Sequence, residues 1–178
     1  ECDTYESIEH IIIAELVQRV SSESITSTGL SSLIDLRKNK YWYGDLKHYY
    51  DALKYASDFF FLEDNVVLEV KNFEQGLKNY VGKWYEFDYT YRKYLYSLSL
   101  CANAGRFDEI THKIEKFYAN NYLLTLSDEW YNRLGELQEW KFDAEYDQKS
   151  FYKHHVEPQI SDNAKLCVMI SDALRYEG

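Results

Sequence analysis

Proline is nearly missing from this 178-residue chain, which has one, and glycine is scarce, with 7. Such sparse punctuation excludes a fold of many short strands and tight turns. Together with 46% apolar residues it favours long, uninterrupted helices. Cysteine is equally thin, since Cys2, Cys101 and Cys167 are odd in number, far apart and in no Cys-x-x-Cys pair. A disulfide framework and a thiolate zinc site are both disfavoured, and a reducing, cytoplasmic compartment fits best. Long apolar runs are absent too. Phe59-Phe60-Phe61-Leu62 and Val66-Val67-Leu68 fall far short of the roughly 20 residues that cross a bilayer, so no membrane partner is expected. No methionine opens the chain, and no secretory pattern of charge, apolar run and cleavage site precedes Ser7. The expectation is a piece of a longer protein with room for one core.

Positive charge is also in short supply. A formal net charge of −10 repels a phosphate backbone on average, which argues against broad electrostatic attraction to nucleic acid. One local exception is Arg37-Lys38-Asn39-Lys40-Tyr41-Trp42-Tyr43, where Arg37, Lys38, Lys40 and Trp42 join cations to aromatics that could grip phosphates and stack bases. The alternative is that these cations complement a helix C-terminus and the aromatics begin the next packed face. The five histidines, His10, His48, His112, His154 and His155, include no pair at the i, i+4 spacing of helical zinc sites.

What the chain has is helical periodicity. Ile8, Ile12, Ile13, Leu16, Val17 and Val20 recur at three- and four-residue spacing and predict a helix near 5–20. The small polar stretch from Ser21 to Gly29 reads as a loop, followed by a short helix through Leu30, Leu33 and Ile34. Leu46, Tyr49, Leu53, Ala56 and Phe60 predict a helix near 45–62. The strongest signal is a heptad-like seam of Leu77, Val81, Trp84, Asp88, Tyr91, Leu95 and Leu98. It predicts a helix near 70–102, weakened at Gly76 and Gly82 and ended by Gly105 as a left-handed cap. Phe107, Ile110, Ile114 and Phe117 predict another helix, and Trp130, Leu134, Leu137 and Lys141 a further one capped by Ser127. A last helix through Phe151, Tyr152, His155 and Val156 should be limited by Pro158. The fold class expected is mainly α, a bundle of about six or seven helices over 1–162.

The pattern changes at Lys165. Leu166-Cys167-Val168-Met169-Ile170 is a continuous apolar run that reads as a short buried C-terminal β-strand, part of an α/β domain whose other strands lie elsewhere. Asp172 then falls just past the carboxyl end of that strand, where open parallel sheets collect ligands, and a carboxylate there can hold a metal. The alternative is that Ser171 or Asp172 caps the helix that Ala173 would begin.

The run Cys167-Val168-Met169-Ile170-Ser171-Asp172-Ala173-Leu174-Arg175-Tyr176-Glu177 resembles the opening motif of the PglZ family, which belongs to the alkaline phosphatase superfamily. Upstream, Gln148-x-x-Phe151-Tyr152-x-x-x-Val156-x-Pro158 and Trp84-x-x-x-Asp88-x-x-Tyr91-Arg92 resemble the helical region that precedes the phosphatase-like domain in the subtype of BREX phage-defence systems. The resemblance covers about 80–178. It implies that 163–178 is the first strand and metal-ligand loop of an alkaline-phosphatase-like domain, with Asp172 a ligand for a divalent metal, zinc by expectation, in the full-length protein. It also implies other phage-defence proteins as partners. The nucleophile and remaining ligands would lie after Gly178, so the chain by itself should hold no metal cofactor and catalyse nothing.

Asp88 is the other residue the pattern singles out, because a seam position implies burial and a buried charge demands a partner. Arg92, four residues on, is the nearest candidate and a tyrosine hydroxyl the next. The 18 tyrosines offer large apolar bodies with a hydroxyl able to satisfy buried groups. A second functional reading is therefore a helical docking module or scaffold that presents an aromatic surface without catalysis.

Overall fold

In a computed structural model, residues 5–137, 148–160, 165–169 and 175–176 are described. The helices follow the apolar spacing. α1 (Glu6–Ser21) buries Ile13, Leu16, Val17 and Val20 on one face. It ends in a Schellman turn, with the amide of Ser24 bonded to the carbonyl of Arg19 at 2.9 Å and that of Glu23 to Val20 at 3.1 Å. Glu23 takes the left-handed position of that turn, φ 55°, at a steric cost of about 1 kcal/mol relative to glycine. α2 (Ser27–Arg37) starts earlier than the expected loop allowed, because the Thr26 hydroxyl accepts from the Gly29 amide at 3.1 Å and caps it.

α3 (Tyr43–Asp64) is the central element. It packs most extensively against α5 (Tyr85–Ser99), and α1, α2 and α6 (Asp108–Phe117) lie against it as well. Phe59 of α3 is fully buried and meets Phe87 edge-on at 5.4 Å and Phe117 at 5.9 Å. Edge-to-face rings of this kind add to the roughly 1.5 to 3 kcal/mol that burying one such side chain contributes. Buried tyrosines bring their hydroxyls with them. The Tyr94 hydroxyl pairs with that of Thr111 at 2.6 Å, and the Tyr49 hydroxyl accepts from the Asn103 amide at 2.9 Å.

Two long rods carry π turns. α4 (Phe73–Asn79), capped by Asn72, runs through a π turn at Tyr80–Trp84 directly into α5. Likewise α6 continues through a π turn at Tyr118–Leu123 into α7 (Leu124–Glu136). The expected seam is corrected by one position. Trp84, Phe87, Thr90, Tyr94 and Ser97 form the buried stripe together with Asp88, while Tyr91, Leu95 and Leu98 flank it half-buried.

Three expected boundaries also change. Gly105 is no left-handed cap, since no described glycine has positive φ. It sits inside a 3-10 turn, Ala104–Phe107, and α5 ends instead on short bonds from Leu100 to Ser97 and from Cys101 to Leu98. Ser127 lies within α7 rather than at its start, because the second π turn keeps the chain helical across the gap. Toward the C-terminus the expected last helix is three short turns, Gln148–Ser150, Tyr152–Val156 and Glu157–Gln159, with no buried residue.

The expected short C-terminal strand is not seen. Residues 165–169 form no strand and are exposed, Met169 to 92%, and no strand occurs anywhere among the described residues. An apolar run becomes a buried strand only when neighbours pair its amides and carbonyls, and here no such neighbour is described. Ile170 and Asp172 lie outside the described residues.

Gly76 has a packing role that its helix-weakening reputation hides. A Cβ there would lie 2.8 Å from Val70 Cγ1 and 3.0 Å from the Trp130 ring, whereas one on Gly82 meets nothing within 4 Å. Trp130 of α7 therefore lies close over the α4 backbone while packing on Phe73 at 4.9 Å. We expect Gly76→Ala to destabilise by about 1 to 3 kcal/mol through overpacking. Gly82→Ala, with open space and better helix propensity, should be neutral or stabilise by up to about 1 kcal/mol. Thermal unfolding of the two variants side by side checks the contrast, and equal effects would contradict it.

Candidate functional site: two buried carboxylates and an aromatic pocket

Asp88 is 9% exposed and lies where the two π turns face each other. Tyr80, the first residue of one π turn, donates its hydroxyl to Asp88 Oδ2 at 2.9 Å. From the other, Tyr118 donates to Oδ1 at 2.5 Å and Tyr122 to Oδ2 at 3.0 Å. The Tyr122 hydroxyl also lies 2.9 Å from the Trp84 carbonyl. Arg92 Nε donates to the backbone carbonyl of Asp88 at 3.3 Å, so three neutral phenols supply the described donors to the carboxylate. Burial, followed by the Asp88 hydrogen bond and charge for Tyr118 and by the Asp88 charge and hydrogen bond for Tyr122, pushes both phenols far above the ordinary tyrosine range. They remain protonated donors. The rings stack as well, Tyr91 on Tyr118 at 4.0 Å and Tyr118 on Tyr122 at 5.4 Å.

A second buried carboxylate escaped the sequence reading. Glu9 of α1 is 3% exposed, and Arg37 at the end of α2 grips it, Nε to Oε1 at 3.1 Å and a second guanidinium nitrogen to Oε2. Tyr50 of α3 donates its hydroxyl to the same Oε1, and burial, then the Glu9 hydrogen bond, raises that phenol well above its usual range. A signal was available, because Glu9 is four residues before Ile13 and seven before Leu16 on the apolar stripe of α1.

Arg37 thus turns inward. Of the other residues in that cationic and aromatic stretch, Lys38 pairs with Asp35 at 2.7 Å at the surface, Lys40 is half-buried, and Trp42 is half-buried with its Nε1 enclosed. Among the described residues, no group of three or more His, Cys, Asp or Glu side chains could hold a metal ion. The described residues therefore do not fit a catalytic metal centre, and Asp172 lies outside them. The Cys101 thiol is buried, and burial raises it to about 11, far from a reactive thiolate. No helix among the described residues is long and apolar enough to cross a membrane.

A pocket of about 500 Å³ opens between α3 and α5, walled by Phe61, Tyr85 and Tyr89 and closed on one side by Tyr176. Tyr176 reaches back to this bundle, its hydroxyl bonded to the Val81 carbonyl at 3.2 Å and its ring edge-on to Tyr85 at 5.2 Å. The residue that follows Asp172 by four positions in sequence is thereby fastened to the π turn beside Asp88.

No family model matches the chain, and no solved structure matches it. Two curated proteins do. The alkaline phosphatase-like protein PglZ of Bacillus cereus is 28% identical over 180 residues, which covers 98% of this chain and 21% of that protein. The alkaline phosphatase-like protein BrxZ of Escherichia coli is 31% identical over 191 residues, covering 99% of this chain and 22% of the relative. The chain spans about a fifth of the length of each. Matched along almost all of its residues, this chain is similar to one stretch of the alkaline phosphatase-like proteins PglZ and BrxZ.

Proposed function

We propose that this chain is the helical segment of a PglZ-like bacterial phage-defence protein, set ahead of a metal-dependent phosphatase or phosphodiesterase domain that begins near residue 163. The observation that carries this reading is the match to two alkaline phosphatase-like proteins over 98% and 99% of the chain. On this reading the helices are support and carry no chemistry of their own. Their buried carboxylates are held by tyrosines and an arginine, and none of the described residues gathers into a metal-ligand group. Asp172 is the one residue of this chain proposed as a ligand for a divalent metal, zinc by preference. A zinc-type catalytic site takes three protein ligands and an open position, so the others belong to the rest of the protein.

The test compares the 178-residue chain, the longer parent protein and the parent carrying Asp172→Ala. Metal content and hydrolysis of a chromogenic phosphodiester are measured, with circular dichroism as a folding control. The chain alone should bind zinc weakly and hydrolyse nothing. The Asp172→Ala parent should lose metal and activity together. If Asp172 is instead a helix cap, the substitution costs only about 0.5 to 2 kcal/mol of stability and leaves metal and rate intact, which overturns the ligand assignment.

A further inference from the structure

The pocket between α3 and α5 has the chemistry of a cation receptor. Among the described residues its walls are the rings of Phe61, Tyr85, Tyr89 and Tyr176, its charged lining residues are Asp58 and Glu86, and no lysine, arginine or histidine lines it. Phe61 is 59% exposed, so much of this large apolar side chain is open to a ligand. Asp58 is partly engaged, accepting from the Ser27 hydroxyl at 2.8 Å and from Lys54 at 2.7 Å. Among the described residues Glu86 forms no side-chain hydrogen bond or ion pair, although it is only half-exposed. A carboxylate in that position is stabilised by an incoming cation.

Tyr89 and a ring beside the pocket already meet cations of the chain itself. Lys93 lies over Tyr89 at 5.5 Å, and Lys54 over the neighbouring Tyr55 at 5.0 Å. Ring faces carry a negative quadrupole, and a net charge of −10 draws cations towards the molecule as a whole. Phosphate-bearing ligands meet the opposite field. Between the two common cationic side chains the geometry favours arginine, whose planar guanidinium stacks flat on aromatic rings while its N–H fork reaches carboxylates, whereas an ammonium is a compact and strongly hydrated point charge.

We propose that this pocket receives an arginine side chain from a partner protein, stacked between Tyr89 and Tyr176 and bonded to Glu86. A volume of about 500 Å³ holds one such side chain with its flanking backbone. Because Tyr176 forms one wall, the docked arginine would touch the segment that follows Asp172. The inference concerns this chain alone and does not rest on the metal reading.

The experiment is isothermal titration of the 178-residue chain with three glycine-flanked pentapeptides that differ only at the centre, carrying arginine, lysine or citrulline. Citrulline keeps the shape of arginine and removes its charge. We expect the arginine peptide to bind about tenfold more tightly than citrulline, and more tightly than lysine, with affinity falling as salt rises. Glu86→Gln and Tyr89→Leu should each weaken the arginine peptide by about threefold to tenfold, and melting curves should confirm that both remain folded. Glu86→Gln alters no described internal contact and keeps the test decisive if Tyr89→Leu unfolds. Equal binding of arginine and citrulline overturns the proposal, as does a lysine peptide of equal affinity or unchanged binding in Glu86→Gln. Self-association of the chain that competes with the peptide would assign the pocket to a second copy and overturn the partner reading.

Discussion

Asp88→Ala should lower the unfolding free energy by about 3 to 5 kcal/mol, because each buried donor left without its acceptor costs about 1 to 3 kcal/mol. The alanine removes the acceptor of three phenols at once, and of these Tyr122 keeps a second acceptor, the Trp84 carbonyl. Each charge-assisted bond contributes about 1.5 to 3 kcal/mol, but desolvation of the carboxylate offsets part of the sum, so the three do not add in full. Asp88→Asn keeps one carbonyl acceptor and turns an amide donor toward another donor, so it should cost less than alanine and more than nothing. Tyr118→Phe removes one donor and should cost about 1 to 2 kcal/mol, and its effect should shrink in the Asp88→Ala background because the two residues share one network. Urea unfolding with a constant slope measures all of these. An unchanged midpoint in Asp88→Ala would show that the carboxylate holds nothing together.

Arg37→Ala should be comparably damaging, about 3 to 5 kcal/mol, because it leaves the Glu9 carboxylate buried against the Tyr50 hydroxyl alone. The pair as a whole need not be stabilising. Replacing both members with apolar residues of similar volume, Glu9→Leu with Arg37→Met, should recover most of the loss, since well-packed apolar substitutes for a buried ion pair are often neutral. Denaturation of the single and double variants separates the two ideas. If Arg37→Ala alone shifts stability by less than about 0.5 kcal/mol, Arg37 behaves as a surface cation and its stretch regains the role of an outward-facing patch.

How much was legible follows from what periodicity can sense. α1 and α3 were readable to within two residues because each is an unbroken α-helix, whose 3.6-residue pitch keeps one stripe on one side. The π turns defeat that reading. Each widens the helix by a residue per turn and resets the phase of the stripe, so the rod of α4 and α5 showed its seam one position late. The rod of α6 and α7 looked like two helices with a cap at Ser127. At the Asp88 site, spacing offered Arg92 because it is local. Tyr118 and Tyr122 lie 30 and 34 residues away, on a different rod, and no local pattern carries that distance. Leu166 to Met169 misled for a related reason, since an apolar run records a need for partners and says nothing of whether they are at hand.

The π turn at Tyr80–Trp84 works as a joint with two bearings. Through the Tyr80 hydroxyl it holds the Asp88 carboxylate, and through the Val81 carbonyl it holds Tyr176. Tyr80 and Val81 are neighbours in one turn, and the Tyr80 ring lies 6.2 Å from the Tyr176 ring, so a movement of that turn acts on both bonds together. The interior of the bundle and Tyr176 therefore share one support, and a change that loosens the phenol cluster reaches Tyr176 through it.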